Sequence, residues 1–177
     1  GPGSWAVYLR LFDGAGQEDI LGEASVRYLY SLCAAERIAA YNPQARIVMV
    51  FREPVAFINS VFHKRRDNPP AEGESASTLR AALDLEKDRK QGRKISRAVK
   101  YPQRLLYRER AKYGEQARRF FDVFSARQIH VIIYDDLRDD WRDVIGGVCD
   151  FLGIERSSHE IGQVNTSKGV RSHHLKE

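Results

Sequence analysis

No apolar stretch in these 177 residues approaches the ~18 needed to cross a bilayer, so no segment reads as a membrane span. Cysteine is scarce. Cys33 and Cys149 stand far apart in predicted helices, without metal-ligand spacing, which excludes a disulfide scaffold and a thiolate metal centre. Both read as buried thiols of a reduced compartment. His173 and His174 have no partner at ligand spacing either, so no metal is expected. A secretory leader, an internal repeat and a low-complexity tract are all missing, and a cytoplasmic location is the expectation. The phosphate-cradling G-x-x-x-x-G-K-[ST] loop is absent too. Asn165-Thr166-Ser167 matches a glycosylation sequon of the kind that arises by chance.

What remains is an ordinary globular composition, 42% hydrophobic and 10% aromatic, of a size for one domain with a single core. Gly1-Pro2-Gly3-Ser4 reads as the scar of a cleaved expression tag, leaving residues 5–177 as the domain. The net charge of +5 favours an anionic ligand. Nucleic acid is not the expected partner. The charged run from Glu86 to Arg119 mixes acids with bases, and Tyr101 and Tyr107 do not alternate with cations as a stacking platform would. The run reads as a solvated helical face.

The chain is densest in information from Ala45 to Arg66. The apolar, β-branched run Ile47-Val48-Met49-Val50-Phe51 predicts a strand buried on both faces, as in parallel sheets. Arg52-Glu53-Pro54 breaks it, and Pro54 suits the first turn of a helix over 54–66. Val55, Ile58 and Phe62 would form that helix's core stripe; Phe57, Ser60 and Lys64 share another face. Arg52 thus falls at the carboxyl end of a buried strand, where open α/β sheets bind ligands. A guanidinium, a helix N-terminus and the Ser60 hydroxyl can converge there on one phosphate.

Other elements follow from pattern. Val7 to Phe12 suggests a short helix, and residues 33–41 a helix stopped by Asn42-Pro43. A helix is predicted over 78–90, and another over Lys112 to Phe124 with Ala117, Phe120, Phe121 and Phe124 on its core face. Ile129 to Tyr134 is a second buried strand. Asp139 or Asp140 can cap a helix running to Leu152, which Gly153 closes. Strands separated by helices imply parallel pairing through βαβ crossovers.

Four segments in this order resemble the sulfotransferases that use 3′-phosphoadenosine 5′-phosphosulfate (PAPS). Arg52, Pro54 and Ser60 sit as in that family's 3′-phosphate-binding segment, with the serine eight residues after the arginine. Gly22-Glu23-Ala24-Ser25 with Tyr28-Leu29 looks like its GE(K/A)SP-x-YL segment, Val26 replacing the usual proline. Ile132 to Leu137, then Phe151-Leu152-Gly153, looks like its Y-E-D-L … F-L-G segment. Asn165 to Ser172 looks like its basic loop near the cofactor. The resemblance covers roughly Trp5 to Ser172. It implies a P-loop-NTPase-like three-layer α/β fold, incomplete at its N-terminus, with a central parallel sheet flanked by helices. No segment here fits the family's opening K-x-G-T-T-type loop, so the chain is expected to begin partway into the domain.

The resemblance implies transfer of a sulfuryl group from PAPS to a hydroxyl or amine of a small-molecule or glycan acceptor, without metal. Arg52 and Ser60 would fix the 3′-phosphate, and Lys168, Gly169 and Arg171 would close over the same end. Glu23 and His63 are the candidate bases: Glu23 could line the acceptor pocket or tie a loop to the sheet, and His63 lies on the Ser60 helix among Lys64, Arg65 and Arg66. Asp136 reads as capping a turn. Two other readings stay open, a non-catalytic domain that binds 3′-phosphoadenosine nucleotides and a nucleotide kinase of related fold.

Overall fold

The computed structural model describes residues 5–16, 20–67 and 73–156. Its centre is a parallel pair of strands, β1 (Ile47–Phe51) and β2 (Ile129–Ile133), in register from Ile47 opposite Ile129 to Phe51 opposite Ile133. Helices α1 (Trp5–Leu9) and α2 (Ala34–Tyr41) precede the sheet. The crossover between the strands holds α3 (Pro54–Arg66), α4 (Leu79–Asp84), α5 (Glu86–Lys90), α6 (Tyr107–Arg110) and α7 (Tyr113–Phe121). After β2 come α8 (Tyr134–Asp139) and α9 (Trp141–Leu152). The pairing is the parallel one that the strand–helix–strand pattern predicts.

Two apolar clusters hold these parts. Ala34 and Ala35 of α2, Met49, Phe120, Phe124 and Ile129 pack on one face of the sheet. On the opposite face the His130 ring stacks on Phe151 of α9, 5.2 Å between centroids, with Gly147 beneath it. The second cluster joins Ile58 and Phe62 of α3 to Ala76, Ala82 and Tyr107. Gln128 ties the two strand entries together by donating to the Pro43 and Ala45 carbonyls at 2.8 and 3.2 Å.

Caps form where the sequence places them, with one choice resolved. Asp140, not Asp139, accepts from the Asp143 N–H at 3.1 Å and starts α9; Gly153 ends it at φ 70°, a left-handed position that glycine adopts without strain. Thr78 caps α4 in the same way, accepting from Ala81 at 3.1 Å.

Several expectations need correction. The strands are not buried on both faces: Met49 is 4% exposed, but Val48 and Val50 are 38% and 48% exposed. Among the described residues the sheet has two strands, so each keeps an unpaired edge where alternate side chains are uncovered. Val55 is exposed too, and the buried row of α3 runs Ile58, Phe62, Arg65. Phe121 points outward, because the helix ends there and Phe124, beyond its end, turns in to stack on Phe120. The helix predicted over 78–90 is two helices that meet at Leu85. Cys33 is exposed at the start of α2, while Cys149 is buried.

Behind α3 lies a polar knot. Arg89 donates to Glu74 through both terminal nitrogens, at 2.7 and 3.0 Å, and both side chains are fully buried. Tyr107 donates its hydroxyl to the same carboxylate at 2.6 Å, and the Ala76 N–H donates at 2.7 Å. Burial works against the Glu74 charge, but these four donors outweigh it and hold its pKa below the ordinary carboxylate value.

Candidate functional site

Parallel strands end together, and Arg52 and Tyr134 follow β1 and β2 directly. The Arg52 guanidinium lies 5.1 Å from the centre of the Tyr134 ring, a cation–π contact at the sheet's carboxyl edge. Tyr113, the first residue of α7, packs between Phe51 and Phe57 with centroids 5.0 and 5.9 Å away. Arg110 then lies over the other ring of that pair, 5.3 Å from the Phe57 centroid. Ser60 is exposed one turn further along α3, on the side that carries Phe57.

The carboxylate next to Arg52 is committed elsewhere. Glu53 is the N-cap of α3 and accepts from the Val55 N–H at 2.9 Å and from the Ala56 N–H. The Ala56 and Val55 amides, with Arg52 beside them, hold its pKa down. Among the described residues Arg52 therefore forms no ion pair. The same geometry corrects one expectation: the first amides of α3 are occupied by Glu53 and do not stand open to a phosphate.

Arg110 sits deeper. Its Nη1 is buried without a hydrogen-bond partner among the described residues. Burial lowers its pKa, as do the like charges of Arg65 and Arg104 nearby. Burial also raises the Tyr113 phenol, so its hydroxyl stays protonated as a donor.

The two candidate bases do not meet. His63 is exposed on α3, edge-on to the Phe62 ring at 5.3 Å. Glu23 is exposed and engages the Tyr28 hydroxyl; burial and that carboxylate push the Tyr28 phenol up. Asp136 lies in the first turn of α8, not as its cap. Lys168, Gly169 and Arg171 lie outside the described residues. Tyr113, Tyr134 and Arg110 are the residues that sequence reasoning missed as site members. Tyr134 stands in the Ile132–Leu137 segment but was given no site role there, and no local motif marks Arg110 and Tyr113, which reach the site from the stretch joining α6 to α7. Among the described residues no group of three or more His, Cys, Asp or Glu is placed to hold a metal, and no helix is long and apolar enough to cross a membrane.

A parallel α/β sheet presenting at its carboxyl edge a guanidinium without an ion pair among the described residues is an arrangement suited to anionic ligands. Residues 34–168 match the model of the sulfotransferase domain family, and the chain belongs to that family. A sulfotransferase from Alicyclobacillus acidocaldarius has a similar solved structure, 32% identical with a TM-score of 0.74 over 89% of this chain and 62% of that one. The sulfotransferase domain from the curacin biosynthetic pathway shares the fold at 20% identity and a TM-score of 0.55, over 86% of this chain and 45% of that one. The chain thus spans less than two thirds of either relative. No curated protein matches it.

Proposed function

We propose that this domain serves sulfuryl transfer from PAPS to a hydroxyl or amine acceptor, within a P-loop-like three-layer arrangement. The observation that carries the reading is Arg52, without an ion pair among the described residues, at the carboxyl edge of the sheet in a sulfotransferase-family chain. The residues present fit an anionic nucleotide: the adjacent Glu53 carboxylate is turned onto α3, and the Tyr134 ring backs the guanidinium. Arg52 and Ser60 would hold the 3′-phosphate by side-chain donors alone, since Glu53 takes the helix amides. Lys168, Gly169 and Arg171 are proposed to close over the same end. PAPS supplies the sulfuryl group; the chain supplies orientation and positive charge.

Thermal shift with 3′-phosphoadenosine 5′-phosphate against 5′-AMP tests this. A ligand at 100 times its Kd adds about 2.7 kcal/mol to folded stability. At roughly 2–4 °C per kcal/mol for a chain of this size, the 3′-phosphorylated nucleotide should raise Tm clearly and 5′-AMP much less. Equal shifts would overturn the assignment.

A further inference from the structure

The guanidiniums of Arg89, Arg108 and Arg119 are settled by acceptors: Glu74 for the first, Glu86 and the Leu83 carbonyl for the second, the Leu29 and Glu115 carbonyls for the third. Arg110 differs. Among the described residues its side chain forms no ion pair and no hydrogen bond, and its Nη1 is buried. Burial, Arg65 and Arg104 all oppose its charge, while the phenols of Tyr30 and Tyr107 favour it. Such a cation costs the fold stability, because no carboxylate offsets its desolvation or the repulsion from like charges. An arginine kept at that cost points to a counter-ion that comes from outside the chain.

The neighbours indicate where that anion sits. Arg110 lies 5.3 Å from the centre of the Phe57 ring, and Phe57 is one turn before Ser60 on α3. The Phe57 ring is 5.9 Å from that of Tyr113, which in turn is 5.0 Å from Phe51, the residue before Arg52. Arg110 and Arg52 both act on the Tyr113 phenol and favour its ionised form, so the phenol is within electrostatic reach of both guanidiniums. We propose that Arg110 is a specificity-determining residue of the nucleotide site: beside the Tyr113 hydroxyl, its guanidinium takes an oxygen of the same 3′-phosphate that Arg52 and Ser60 hold. The identity of that phosphate rests on the sulfotransferase reading above. A phosphate dianion supplies the negative charge that both guanidiniums lack. A nucleotide with a plain 3′-hydroxyl would leave Arg110 buried without a counter-charge, so the discrimination falls against it.

The test is calorimetry with 3′-phosphoadenosine 5′-phosphate, 5′-AMP and inorganic phosphate, together with melts of the unliganded proteins, on the parent, Arg110→Met and Arg110→Lys. Arg110→Met should bind the 3′-phosphorylated nucleotide at least about tenfold more weakly and 5′-AMP within about twofold of the parent, the loss expected for a hydrogen bond to a charged group. Unliganded, it should melt no lower than the parent, since an uncompensated charge is gone and methionine keeps an apolar stem against Phe57. Arg110→Lys retains the charge without the fork and should bind between the other two. Parent-like binding of the 3′-phosphorylated nucleotide by Arg110→Met would overturn the proposal, and so would equal weakening of both nucleotides. A lower unliganded Tm would also overturn it, by showing that the arginine is kept for packing. If the parent shows no preference for the 3′-phosphorylated nucleotide, yet binds inorganic phosphate that Arg110→Met does not, the transferase reading fails and Arg110 stands as an anion-binding residue.

Discussion

At the scale of single residues, the charge on Arg52 is available because of what Glu53 does. A carboxylate one residue away would ordinarily pair with the guanidinium, but the α3 amides claim both of its oxygens. Removing Arg52 should then cost the ligand most of a desolvated charge pair. Arg52→Ala is expected to weaken binding of 3′-phosphoadenosine 5′-phosphate by roughly 2–5 kcal/mol, and Ser60→Ala by about 1.5–3 kcal/mol, the range for hydrogen bonds to charged groups. Lysine at position 52 should not restore the loss, since it lacks the planar fork and stacks less well on Tyr134. Glu53→Gln should tighten binding, because the cap's negative charge is gone while an amide oxygen can still accept from α3. Isothermal calorimetry on the four variants decides this; parent-like binding by Arg52→Ala would sink the 3′-phosphate assignment. Arg52 and Ser60 were legible because their spacing on a strand–helix junction is local. Arg110, Tyr113 and Tyr134 were not, since their meeting with Arg52 and Phe57 depends on how distant segments pack.

At the scale of elements, β1, α3 and the caps of α9 follow from short-range chemistry: a β-branched run, a proline at a helix start, an aspartate before a helix and a glycine after it. The errors concern which face is covered. Val55 and Ile58 look equivalent on a helical wheel, yet Val55 is 64% exposed while Ile58 is buried, because α4 and α6 approach α3 only along its later turns. Residues 78–90 fail differently: their apolar period continues through Leu85, where the structure turns and starts α5 so that Glu86 and Arg89 can point inward. The α3 reading is directly testable. Phe62, 1% exposed and edge-on to Tyr107 at 6.2 Å, should cost about 3–5 kcal/mol on truncation to alanine. Val55→Ser should change stability by no more than about 0.5 kcal/mol, as at other exposed sites. Urea midpoints with an unchanged m-value would read both; a Val55→Ser loss comparable to that of Phe62→Ala would restore the original stripe.

At the scale of the whole molecule, the long crossover between the two strands is pinned by charge as well as by apolar contact. Glu74, Arg89 and Tyr107 come from the segment before α4, from α5 and from α6, and their shared hydrogen bonds close the connection behind α3. The sequence shows these residues only as scattered polar positions, since burial of an acid with its partners is invisible in periodicity. The knot sets limits at both ends of the pH scale. Glu74 has a folded pKa below its ordinary 4.5, so its stabilisation is complete above 4.5 and disappears as pH falls through the depressed value. Tyr107 is the opposite case. Burial, then the Glu74 carboxylate that accepts from it, raises its pKa far above the ordinary 10.0, so stabilisation complete below 10 declines as the pH climbs beyond it. Tyr107→Phe should therefore lower stability near neutrality by about 1.5–3 kcal/mol, the worth of a hydrogen bond to a charged group. Its stability should also fall less steeply than the parent's above pH 10; Tyr28, Tyr30 and Tyr113, also raised, supply remaining slope. Glu74→Gln should cost more, about 3–5 kcal/mol, by leaving the Arg89 guanidinium buried without a counter-charge, and should flatten the acid limb. Denaturant melts of the three proteins from pH 3 to 11 measure both limbs. If Tyr107→Phe runs parallel to the parent above pH 10, the phenol does not hold its proton against Glu74, and the polar fastening of the crossover rests on the Glu74–Arg89 pair without it.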